Sequence, residues 1–234
     1  MEPKELIGHI VGGKVLDVAT GSGGFIHFLL EGLQDYTEII GVDTKEGMDT
    51  VFAEQFQGKP IRYRQMDAAQ MDFANEFFDT VCIANSLHHM PDLPGALKEM
   101  LRVLKPGGHF IALEMYHDNQ AETQMTHVLL HHWWGAVDRV HGISHNETFR
   151  REELIKMVAG LGLGEVRVTD LSELGENPLD PEIMAQLEPV IDRYIERAKN
   201  YPELQKQGED LRARLYEIGF DSATSLLVIG EKAL

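Results

Sequence analysis

A chain of 234 residues, 43% hydrophobic and 25% charged, is long enough for one large domain, or one domain carrying an insertion, around a sizeable core. Its 38 acidic residues against 21 basic ones leave a net charge of −17, which excludes the broad basic footprint of a nucleic-acid binder, so no nucleic-acid partner is expected. Cys82 is the single cysteine and lies in an apolar run, so no internal disulfide can form and the thiol reads as buried core.

Apolar runs alternate with helical patterns over the first two thirds, the signature of βαβ units and a parallel sheet. A first strand at 14–18 ends in Thr20-Gly21-Ser22-Gly23-Gly24, and Phe25, Ile26, Leu29, Leu30 and Leu33 follow at helical spacing. A second strand at 38–42 precedes a helix carrying Met48, Val51, Phe52 and Phe56, and 61–65 is a weaker third strand. The fourth strand, 80–84, leads into Asn85-Ser86-Leu87-His88-His89 and a helix that Lys105-Pro106-Gly107-Gly108 terminates. After a fifth strand at 109–113 the rhythm breaks: residues 117–147 hold six histidines and two tryptophans with no clean period. Thr148 is placed to cap the next helix, and 165–171 and 224–230 read as strands six and seven. Between them two amphipathic faces, Ile183 to Ala198 and Leu204 to Ile218, predict a helical hairpin. Residues 1–10 show no leader pattern and no stretch approaches a membrane span, so a cytoplasmic location is expected.

The strand ends carry the functional signal. Asp17 and the glycine turn stand at the exit of the first strand, where glycines let a ligand approach the backbone and the following helix offers free N–H groups. Asp43, followed by Thr44, closes the second strand, where a carboxylate can take both hydroxyls of a ribose. Asp67-Ala68 follows the third, where a side-chain acceptor and a backbone N–H can read an adenine edge. This series resembles the class I S-adenosylmethionine-dependent methyltransferases: Leu16 to Gly23 is similar to their first motif, Gly41-Val42-Asp43 to the second and Asp67-Ala68 to the third. Phe78 to Val81, leading to Asn85, resembles the fourth, and Arg102 to Gly108 the turn before strand five; the likeness covers residues 14–115 closely.

The resemblance implies an α/β fold, Rossmann-like: a seven-stranded, mostly parallel sheet with helices on both faces, its last strand antiparallel, and a helical insertion between strands 6 and 7. It implies S-adenosylmethionine as cofactor and a small-molecule methyl acceptor, with the quinone-biosynthesis C-methylases and general small-molecule methylases as the most similar branch. Asp17, Gly21, Ser22, Gly23, Asp43, Thr44, Asp67, Ala68 and Asn85 would then hold the cofactor. Two rival readings are a regulatory protein that binds the cofactor without turnover, and a nicotinamide-dependent oxidoreductase. The latter's fingerprint wants a third glycine where this chain has Ile26.

Methyl transfer from a sulfonium is chiefly a positioning problem, and a base is needed only where the acceptor must lose a proton. His88 and His89 are the candidate catalytic residues. Glu114, His117 and His145 are candidate ligands of a divalent metal, and His117, Trp133, Trp134, His141 and His145 are expected on the substrate side. Only 13 residues precede the first strand, so 117–147 and 172–222 are expected to cover the site or, in the second case, to pair two subunits into a homodimer, within a single domain spanning 1–234.

Overall fold

The computed structural model describes residues 2–234. Seven strands form one sheet in the order β3-β2-β1-β4-β5-β7-β6. They are β1 (Lys14–Val18), β2 (Glu38–Asp43), β3 (Ile61–Gln65), β4 (Phe78–Ala84), β5 (Leu104–Met115), β6 (Leu163–Leu171) and β7 (Ser225–Lys232). The first five pair in parallel, and β7 runs antiparallel between β5 and β6. The strand order reverses at β1 and β4, so the loops after these strands flank the crevice where an open α/β sheet binds ligands.

Alternation along β1 sorts the chain into two layers. Leu16 and Val18 face a core completed by α4 (Leu93–Val103) and α6 (Arg151–Ala159), through Leu97, Met100, Leu154 and Val158. Val15 faces the opposite core, with Ile7 of α1 (Pro3–Ile7), Ile26 and Leu29 of α2 (Gly24–Gly32), and Phe52 of α3 (Met48–Gln55). Cys82 is fully buried there, and burial first, then the neighbouring Asp17, pushes its thiol well above the usual range.

A third core lies off the sheet. It joins α5 (Glu122–Val140) to the inserted pair α7 (Pro181–Arg197) and α8 (Pro202–Ile218), through Leu130, Trp133, Val137, Ile191, Leu211 and Leu215. Residues 117–147 therefore contain a 19-residue helix despite lacking a clean period. The reason is that α5 is covered on several sides: Val128 packs with Met115 and Ala223, while Leu130 and Trp133 pack on the inserted helices. The apolar faces of α7 and α8 pack on α5 and on each other. Several boundaries also differ from expectation, two of them beside the site. β5 extends to Met115, so Glu114 lies within the strand opposite Leu226, and α6 is capped at Arg150 because Thr148 is buried and engages His132.

Trp133 is fully buried, and its indole N–H donates to the Leu204 carbonyl at 2.8 Å. Gly208 of α8 admits this ring, since a Cβ there would fall on its six-membered edge. Trp133 is thus a packing residue, which corrects its placement on the substrate side. Trp133→Ala should destabilise the protein by about 3–5 kcal/mol, read as the shift of a urea unfolding curve at constant slope. A loss under ~1 kcal/mol would show the inserted helices to be independent of α5.

The cofactor cleft and the histidine cluster behind it

After β1 the chain turns sharply through Ala19 (φ 54°), Gly21 (φ 54°) and Gly23 (φ 86°). A left-handed alanine is strained, and such strain gathers where a loop is held for a ligand. Asn85, after β4, is the second such residue in the cleft, at φ 45°. Both line two adjoining cavities, of about 450 and 540 Å³, at the sheet's switch point. The smaller one is walled by Asp17, Gly21, Ser22, Phe25, Phe28 and Leu113. The larger one is walled by Asp43, Thr44, Asp67, Ala68 and, across the gap, His89, Ile143 and Ser144.

All but one of the residues expected to hold the cofactor thus border the cleft. Gly23 does not: a Cβ there would come 2.8 Å from Phe56, so this glycine lets α2 pack against α3. Asp43 accepts from Gly21 N (3.0 Å) and Lys45 N (3.1 Å), which fixes its carboxylate at the mouth of the larger cavity. Asp17 is buried, and one of its oxygens accepts from Thr20 Oγ1 at 2.6 Å. Its other oxygen, Oδ1, is buried without a partner among the described residues. Burial raises this carboxyl to about 7, the Thr20 hydrogen bond opposes the shift, and Asp43 adds to it.

Behind the cleft, four imidazoles converge: His88 and His89 from the 3-10 turn after β4, His131 from α5 and His145 from the loop before α6. His88 is fully buried, and its Nδ1 lies 2.6 Å from Glu114 Oε1. The other oxygen of Glu114 accepts from Ser86 N (3.1 Å) and Leu87 N (2.8 Å). His145 Nδ1 lies 2.7 Å from Asp138 Oδ2, and Asp138 also takes Arg197 at 2.7 Å. His131 Nε2 stands 2.9 Å from His88 Nε2 and 3.1 Å from His145 Nε2. Burial, followed by the neighbouring histidines, lowers His89 to about 4 and His131 to about 2, so both rings are neutral at physiological pH.

The two candidate catalytic histidines separate here. His89 faces the larger cavity but is held too far down to be a strong base at pH 7, while His88 is sealed behind it. His117 lies apart, its Nδ1 bonded to the Thr148 carbonyl at 2.5 Å. His141, at the C-cap of α5, bonds the Val137 carbonyl and faces Tyr201. Trp134 packs edge-on to His131 and beside Tyr194. None of these three lines either cleft cavity. Asp138, Ile143 and Ser144 were missed by sequence reasoning. Asp138 had a detectable signal, an acidic residue among helical apolar positions, whereas the cleft contact of Ile143-Ser144 depends on the path of a loop.

The reversed strand order with its ordered loops defines a class I methyltransferase fold, and residues 16–112 match the family model described as a methyltransferase domain. On this segment the chain is similar to S-adenosylmethionine-dependent methyltransferases, quinone-biosynthesis methylases among them. It is 39% identical over 107 residues to the ubiquinone/menaquinone biosynthesis C-methyltransferase UbiE of Geobacter sulfurreducens, covering 44% of this chain and 42% of that protein. The demethylmenaquinone methyltransferase of Bacteroides fragilis is 36% identical over 106 residues, 44% of this chain and 43% of that one. The chain thus matches less than half the length of these relatives. Among solved structures the (4+2)-cyclase SpnF superposes with a TM-score of 0.64 at 17% identity, covering 99% of this chain and 79% of that one. At that identity the likeness concerns the fold alone. Among the described residues no helix is long and apolar enough to cross a membrane.

Proposed function

We propose that this chain transfers a methyl group from S-adenosylmethionine to a small, largely apolar acceptor of the quinol or phenol type. The observation that carries the reading is the fit of the cleft to that cofactor. Asp17 Oδ1, an orphaned buried acceptor in the smaller cavity, suits an ammonium group. Asp43 suits a ribose diol, and Asp67 with Ala68 suits an adenine edge. A nicotinamide dinucleotide fits worse, because Ile26 is fully buried where its fingerprint needs a glycine.

When bound, the cofactor supplies a methyl carbon already activated by a sulfonium. The chain's own task is to hold the acceptor in line with that carbon and to exclude water. Phe28 and Leu113 border both the smaller cofactor cavity and a neighbouring cavity of about 450 Å³, which Leu171, Ala223 and Ser172 also line. This neighbouring space is assigned to the acceptor: Phe28, Leu113, Leu171 and Ala223 give it an apolar side that suits the quinone chemistry named for the relatives, and Glu2, Asp170 and Glu173 also line it. The segments 117–147 and 172–222 serve as its cover: Ile143 and Ser144 close the cofactor side, and Ser172 and Ser222 the acceptor side. His89, on the cofactor side and held low by burial, does not serve as the base.

Calorimetry tests the cofactor. Asp43→Ala should weaken S-adenosylmethionine by about 1.5–3 kcal/mol, or roughly ten- to a hundredfold, because the ribose loses a charged acceptor. Turnover is tested by release of demethylated cofactor with quinols, phenols, thiols and amines. Tight cofactor binding with no reactive acceptor would favour the binding-only reading over the enzyme.

A further inference from the structure

We propose that His88, His89, His131 and His145 bind one zinc-like divalent cation, which fastens α5 and the loop behind it to the end of β4. Hydrogen-bond bookkeeping leads to this. Glu114 accepts from two backbone N–H groups, so it is an acceptor toward His88 and the proton between them sits on His88 Nδ1. Asp138 accepts from Tyr194 and Arg197, so the proton toward it sits on His145 Nδ1. As neutral imidazoles both rings then turn bare Nε2 lone pairs inward, and both lone pairs face Nε2 of His131, at 2.9 and 3.1 Å. That nitrogen carries at most one hydrogen. One of the two contacts then sets lone pair against lone pair.

A cation at the centre removes the conflict. Tetrahedral nitrogen ligands at about 2.0–2.1 Å from zinc lie roughly 3.3 Å from one another, close to the spacing these rings already show. His89 completes the set, and the four ligand atoms all lie within 4.8 Å of one another. The outer groups have the form such sites use: a carboxylate behind His88, another behind His145, and a hydrogen bond from His89 to the backbone of Ser144. Charge agrees as well. Glu114 is 1% exposed, and a dication one ring away balances a carboxylate that would be costly to bury alone. An all-imidazole set selects zinc, copper, nickel or iron over magnesium or calcium.

Metal content is read without turnover, so the proposal stands or falls separately from methyl transfer. Untagged full-length protein is stripped with a chelator and titrated with cobalt(II) chloride, then zinc. One equivalent of cobalt should bind with the visible absorption of a tetrahedral site, and zinc should displace it and raise the thermal midpoint. Asp138→Asn should weaken zinc by roughly 10–100-fold. His131→Gln should weaken it further, with S-adenosylmethionine binding as the control for folding. If stripped wild-type protein takes up neither ion at micromolar concentrations, or if His131→Gln binds zinc as wild type does, the cluster is a proton-sharing imidazole network and the metal site is refuted.

Discussion

Asp17→Asn is expected to remove most of the cofactor affinity and to raise the thermal midpoint of the ligand-free protein above pH 7. Both effects come from one atom. Asp17 Oδ1 is buried at the edge of the smaller cavity with no donor among the described residues. Burial is the first cause that raises this carboxyl from its ordinary value of 3.8 to about 7. Between those two pH values the folded state binds the proton and the unfolded state does not, so stability falls as pH rises through that window. Above pH 7 the ionised group costs the folded protein roughly 2–4 kcal/mol, which asparagine does not. The ammonium of the cofactor reverses the sign, because it favours the charged form. Affinity should therefore strengthen as pH rises through 7, with a proton released on binding, and Asp17→Asn should lose about 1.5–3 kcal/mol and that pH dependence. Calorimetry in buffers of different ionisation enthalpy, beside thermal melts of the ligand-free protein, measures both. An asparagine variant that binds normally, or that melts lower at pH 8, would show that Asp17 is a structural acceptor and nothing more.

What was legible in the sequence was what short segments decide. Strands buried on both faces announce themselves as Leu16-to-Val18 and Val81-to-Ile83 runs, and the cleft residues follow from being the next residues along each strand. The histidine cluster was not legible in that way. His88, His131 and His145 come from a turn, a helix and a loop, and only the packing of α5 over the sheet end brings them within 3.1 Å. The sequence pattern grouped Glu114, His117 and His145 instead, because they follow one strand. The structure sends His117 to the Thr148 carbonyl and sets Glu114 behind His88 as its partner. Trp133 shows the same limit from the other side. A tryptophan near a pocket and a tryptophan in a core look alike until α7 and α8 are seen to cover it.

Glu114→Ala should cost about 3–5 kcal/mol of stability, among the largest single losses in the chain, and should also loosen the cofactor cleft. The carboxylate is 1% exposed and holds three donors: Ser86 N, Leu87 N and His88 Nδ1. Alanine leaves all three buried and unpaired. That turn begins at Asn85, whose left-handed backbone (φ 45°) persists only while its surroundings impose it. Asn85 lines both cleft cavities and accepts from Met115 N at 3.1 Å, so relaxing it moves the wall between them. Glu114→Gln separates the two effects. Its amide oxygen can still accept from the two backbone N–H groups, but its NH2 then opposes His88 Nδ1 and drives that ring to the other tautomer. The glutamine variant should therefore lose about 1–3 kcal/mol, keep near-normal cofactor affinity and show a changed His88 tautomer in nitrogen-15 NMR. The alanine variant should lose more in urea unfolding and bind the cofactor several-fold more weakly. Equal stability of both variants and wild type would mean that the Asn85 turn is held by the sheet alone and that Glu114 serves only the histidines.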